Sequence, residues 1–110
     1  MLVVFGGLPG TGKTTIAREV ARRHAAFYAR IDTIEQSIRS ANVLGGEIGA
    51  AGYAVAMALA RENLAAGQVV VADAVNPVPE AREAWRDIAA KLSTPLIEIE
   101  EYPAFVGSKV

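Results

Sequence analysis

The residues with the clearest chemical meaning lie near the start of the chain, in Gly7-Leu8-Pro9-Gly10-Thr11-Gly12-Lys13-Thr14. They fit G-x-x-x-x-G-K-[ST], a phosphate-binding loop set between a strand and a helix. Glycines at 7, 10 and 12 permit backbone conformations closed to other residues and let the main chain approach a ligand. Successive N–H groups, Thr11 among them, then face one concavity, and the following helix adds the positive end of its dipole. Lys13 supplies a full charge to the β- and γ-phosphates of a nucleotide. The Thr14 hydroxyl is the expected Mg²⁺ ligand, and Thr15 is a candidate donor to the α-phosphate.

Two acidic residues are candidates to complete such a site. Val69-Val70-Val71-Ala72 is an apolar strand that ends in Asp73, the pattern in which an acidic side chain holds Mg²⁺ directly or through water. Phe27 to Ile31 reads as another strand, ending at Asp32-Thr33. An acid at the carboxyl end of a parallel strand faces the crevice where such sheets bind ligands. Asp32 also has Glu35 three residues on, which resembles a capping box for a helix over 33–40. Asn76 is a plausible polar contact to substrate. Arg82, near the loop 73–76, could reach a phosphate, and a solvated helix face explains it equally simply.

The elements that must position these residues follow from periodicity. Leu2 to Phe5 is a continuous apolar strand, as a central parallel strand should be. Helical spacing of Ile16, Ala17, Val20 and Ala21 predicts a helix over 14–24. His24 then falls at a basic helix end, which explains it without catalysis. Residues 42–52 hold four glycines, at 45, 46, 49 and 52, so a turned loop or a substrate-facing lid is expected. Helices follow over 53–66 and 79–92, with Met57, Leu64 and Trp85 in the core, and a last strand over 95–100.

Composition narrows the function. The chain has 110 residues, no cysteine and a formal net charge of −1. One domain with a modest core is expected. The charge balance gives no reason for bulk nucleic-acid or membrane binding. Absence of cysteine removes disulfides and thiolate metal sites and suits a reducing cytoplasm. The longest uncharged apolar run, 48–60, is 13 residues, short of the roughly 20 that a membrane span needs. No basic leader precedes the phosphate loop.

From the phosphate loop through Trp85 the chain resembles the small P-loop kinases related to nucleoside and nucleotide kinases. The nearest likeness is to the AAA-type ATPase or adenylylsulfate-kinase-like group; polynucleotide, gluconate and zeta-toxin kinases are more distant. Gly7–Thr15, Arg30–Arg39 and Val69–Pro77, with Arg82 and Trp85, carry the resemblance. It covers about residues 1–100, leaving 101–110 as an irregular tail. The resemblance implies a three-layer α/β/α P-loop NTPase fold with a parallel sheet of order 2-3-1-4. It makes Lys13, Asp32, Asp73 and Arg82 the catalytic set, with Thr14 and Asp73 at the metal, and implies Mg·ATP and a small hydroxyl-bearing acceptor. Asp32 matches the acid that in several such kinases accepts the acceptor's hydroxyl proton. Relatives often place a substrate-binding Arg three residues after that acid, where this chain has Glu35; Arg39 lies seven after. Such kinases continue into an arginine-bearing lid, a fifth strand and an adenine-binding loop, so a core without the fifth strand and lid is expected. Its sheet edge would favour pairing with a second copy. Three activities stay open: a kinase, a nucleotide-binding module without turnover, and a simple ATPase.

Overall fold

The computed structural model describes residues 1–7, 12–75 and 79–101. The expectations for Gly10 and Thr11 in the phosphate loop, for Asn76, and for the tail beyond Glu101 fall outside these residues.

Four parallel strands form one sheet in the order β2-β3-β1-β4, as the resemblance implied. They are β1 (Leu2–Gly7), β2 (Phe27–Arg30), β3 (Val70–Asp73) and β4 (Leu96–Glu101). The helices are α1 (Lys13–Arg23), α2 (Ile31–Ala41), α3 (Ala51–Ala65) and α4 (Pro79–Lys91). Strand β1 lies between β3 and β4, and β3 between β1 and β2. Both inner strands are buried at every position, so their sequences are continuously apolar rather than alternating.

Side-chain alternation sorts the strands onto two cores. Val3, Phe5 and Val71 pack with Ala17 and Ala21 of α1 on one face. On the other, Leu2, Val4, Val70 and Ala72 pack with Ala56 and Ala60 of α3 and with Trp85, Ile88 and Ala89 of α4. The alanines allow the helices to lie close on the sheet. Trp85 is the largest fully buried side chain, 1% exposed. Met57 and Leu64 pack at the margin of the same core.

The chain departs from expectation at the second strand. β2 ends at Arg30, whose register partner is Asp73, and the helix begins at once with Ile31. The cap position is therefore Arg30, extended at φ −101° and ψ 116°, with no side-chain cap hydrogen bond. Asp32 lies in the first turn of α2, and the capping box with Glu35 does not form. Its charge there complements the helix dipole instead of a single N–H. Helix α3 also starts earlier than its apolar spacing suggests, taking in Gly52. A β-carbon at Gly52 would stand 2.6 Å from Cγ of Glu35, so glycine there admits the close approach of α2 to α3.

Replacing Trp85 with alanine leaves a large void between α4 and the sheet. The expected loss is about 3–5 kcal/mol of unfolding free energy, measured by urea titration.

Candidate nucleotide and acceptor site

Glycine φ angles position the start of α1. Gly7 has φ 109° and Gly12 has φ 85°, in the left-handed region that disfavours a β-carbon. Gly12 is the N-cap of α1, and the first turn of that helix holds no acidic residue. Among the described residues no side chain caps that turn, which suits an anion at its N–H groups.

Asp73 shares the side of β3 that carries Val71, so it points toward α1. There it is 2% exposed and Lys13 is 6% exposed. The Lys13 ammonium donates to Asp73 Oδ1 at 2.7 Å and to the Ala74 carbonyl at 2.9 Å. Thr14 Oγ1 donates to Asp73 Oδ2 at 3.0 Å, and the Tyr28 hydroxyl donates to the same oxygen at 2.6 Å. Burial works to raise the Asp73 pKa. The hydrogen bonds from Lys13, Tyr28 and Thr14 and the Lys13 charge outweigh it and hold the carboxyl below its ordinary range. For Tyr28 burial acts first, and the bond to Asp73 adds to it, so its pKa is pushed up and the phenol stays a donor.

A cleft of about 510 Å³ opens above this group. Gly12, Lys13, Thr14 and Thr15 form one wall, and Asp73, Ala74 and Val75 lie at its base. Opposite stand Arg30, Ile31, Asp32 and Glu35, with Tyr53 from α3. The fold thus brings together Lys13, Thr14, Thr15, Asp32 and Asp73 from the expected set. Asp32 is exposed, with Arg30 3.6 Å from its Oδ2. Arg82, partly buried on α4, is absent from the cleft lining among the described residues. Arg39 belongs to a separate small cavity beside Asn42 and Leu44. His24 is the exposed C-cap residue of α1.

Tyr28, Glu35 and Tyr53 escaped the sequence reading as site residues. Tyr28 carried a usable signal: with β2 beside β3, the strand residue opposite Val71 must share the Asp73 face. Glu35 stood in the sequence only by its spacing from Asp32, as a capping partner and where relatives place a substrate-binding Arg; Tyr53 carried no signal, because only the packing of α3 brings it to the cleft.

Thr14 and Asp73 present hard oxygens 3.0 Å apart at the base of an open cleft. That suits Mg²⁺, which takes one or two protein oxygens and fills its shell with phosphate and water. Among the described residues no three His, Cys, Asp or Glu side chains gather into a cage that would hold a metal alone.

Removing Lys13 strands a buried carboxylate. Lys13→Ala is expected to cost about 3 kcal/mol, and adding Asp73→Asn to recover part of it, both read by urea titration. The pH dependence follows from the same carboxyl. Below about pH 4 the unfolded chain takes up the Asp73 proton while the folded chain resists it, so stability falls as pH falls. In Asp73→Asn this part of the acid sensitivity should vanish.

A family model described as AAA domain matches residues 2–101. Uncharacterized proteins of Mycobacterium bovis and Mycobacterium tuberculosis are 32% identical over 109 aligned residues. Those alignments cover 88% of this chain, which spans only 22% of the relatives' length. Among solved structures, a candidate kinase from Chloroflexus aurantiacus superposes with a TM-score of 0.77 at 21% identity, over 90% of this chain and 57% of that one. A mutant of the APS kinase of Mycobacterium tuberculosis gives a TM-score of 0.63 at 24% identity, over 90% and 73%. The fold is that of the small P-loop kinases, and the chain belongs to the AAA domain family.

Proposed function

We propose that the chain is an ATP-dependent phosphotransferase that moves the γ-phosphoryl group to a hydroxyl of a small acceptor. One observation carries this reading. The buried Lys13–Asp73–Thr14 group lies at the base of a cleft whose far wall bears an exposed carboxylate, Asp32. The near wall suits the phosphates of Mg·ATP, held by the loop 7–15, the start of α1 and Lys13. Thr14 and Asp73 would hold Mg²⁺, which offsets phosphate charge when bound. Asp32 orients the acceptor and takes its proton. In the transfer, the acceptor oxygen forms a bond to the γ-phosphorus as the bond from that phosphorus to the β–γ bridging oxygen breaks. ADP leaves with the electron pair, and the hydroxyl proton passes to the Asp32 carboxylate. Of the arginines that would offset phosphate charge, Arg30 lines the cleft, and Arg82 would need to reach it on ligand binding.

A second reading is a nucleotide-binding module without its own turnover. It is favoured by the position of Arg82 outside the cleft lining among the described residues. Plain ATP hydrolysis is a weaker third. For setting, the cysteine-free composition suits a reducing cytoplasm. No described helix is long and apolar enough to cross a membrane. The outer strands β2 and β4 leave sheet edges at which two copies could pair.

Calorimetric titration of the 110-residue chain with Mg·ATP tests the first step. Binding in the micromolar range, roughly −8 kcal/mol, that disappears in Lys13→Ala of verified fold is the expected result. No binding to the folded wild-type chain would remove both leading readings. Asp32→Asn should then keep ATP affinity and lower transfer about 100-fold; unchanged transfer would take Asp32 out of the mechanism.

A further inference from the structure

The charged groups lining the cleft do not balance. Among the described residues its lining holds two cations, Lys13 and Arg30, and three carboxylates, Asp32, Glu35 and Asp73. Lys13 is paired with Asp73 at 2.7 Å, and Arg30 stands 3.6 Å from Asp32. Glu35 is left over. It is partly buried, and among the described residues no hydrogen bond or ion pair reaches its carboxylate. Its Cγ would lie 2.6 Å, and its Oε2 3.3 Å, from a β-carbon at Gly52, which sets the carboxylate against the first turn of α3, where the helix dipole favours it.

A second cavity adjoins the first. Tyr53 lines both. The neighbour, about 450 Å³, runs between α3 and α4 along Ala54, Met57, Ala81 and Ala84. Its one charged lining residue among those described is again acidic, Glu80. The acceptor side of the molecule thus joins an apolar surface to unbalanced negative charge.

Resting on the kinase reading above, we propose that the acceptor is a hydroxylated organic amine. Its ammonium group pairs with Glu35, its hydroxyl faces Asp32, and its carbon skeleton lies past Tyr53 in the α3–α4 groove. An anionic acceptor would meet Glu35 without a compensating cation and would approach a nucleotide that is itself negative, a double like-charge penalty. The amine stays protonated throughout, and the transfer to the hydroxyl is the one already described.

Three probes of matched skeleton separate charge from shape: phenylalaninol (cationic), 3-phenyl-1,2-propanediol (neutral) and 3-phenyllactate (anionic). Each is titrated into the wild-type chain with Mg·ADP bound. Phenylalaninol should bind about tenfold more tightly than either of the others. Glu35→Gln should bring it level with the diol, and Glu35→Asp should restore part of the difference. Gly52→Ala, which displaces Glu35 without changing charge, should weaken phenylalaninol alone. Equal or tighter binding of the diol or phenyllactate overturns the proposal. So does a cation preference that survives Glu35→Gln, or no phenylalaninol binding up to millimolar concentration. With Mg·ADP still bound, each of those failures leaves the kinase reading standing; loss of Mg·ADP binding removes both.

Discussion

The buried pair between Lys13 and Asp73 is the interaction on which the rest of the site depends. A carboxylate placed 2% exposed inside a sheet has lost most of its water and is tolerated only when paired and hydrogen-bonded. Three donors supply that, from the loop–helix junction (Lys13 and Thr14) and from β2 (Tyr28). One acidic side chain therefore ties the first helix, the second strand and the third strand together at the carboxyl end of the sheet. The pair also sets the resting charge of the cleft. With Lys13 held by Asp73 and the Ala74 carbonyl, the ammonium does not stand free in the cleft. On the function proposed above, an entering phosphate would draw it over, and Asp73 with Thr14 would hold Mg²⁺.

The layering of the fold decides which residues can join this site. Odd-numbered residues of β1 and β3 face α1, and even-numbered ones face α3 and α4. Asp73 belongs to the first set, so it meets α1 and the phosphate loop. Arg82 rises from α4 on the opposite layer and, among the described residues, does not line the cleft. The wall that bears Asp32 and Glu35 has a different origin. It is built by α2 and α3, which touch at Gly52 and Glu35, and so does not depend on the sheet's alternation.

These differences explain what could be read from the residues alone. The apolar runs over 2–5 and 69–72 announce buried parallel strands, and Asp73 stands out because a charge closes one of them. The phosphate loop fixes Lys13 and Thr14 by spacing. Asp32 was legible as an acid near the crevice, but its local setting was not. A capping pattern is a statement about neighbouring residues, whereas β2 ends where its pairing with β3 ends, at Arg30. Tyr53 belongs to no motif, and Glu35 was visible only by its spacing from Asp32. Their importance arises from a helix–helix contact 17 residues apart in sequence, between Glu35 and Gly52, which no periodicity encodes.

The sheet order has a consequence for how the molecule comes into being. Strand β1 is made first, yet both of its neighbours, β3 and β4, come from the second half of the chain. During synthesis the fully apolar segment Leu2–Phe5 must wait for residue 70 before it gains one partner and for residue 96 before it gains the other. Such long-range parallel pairing is slow to form and leaves a sticky strand unprotected meanwhile. The same order means that Lys13 finds Asp73 only after that delay. The Lys13–Asp73 pair is thus a late product of folding, and a ligand that needs it would act on assembly only at its final stage.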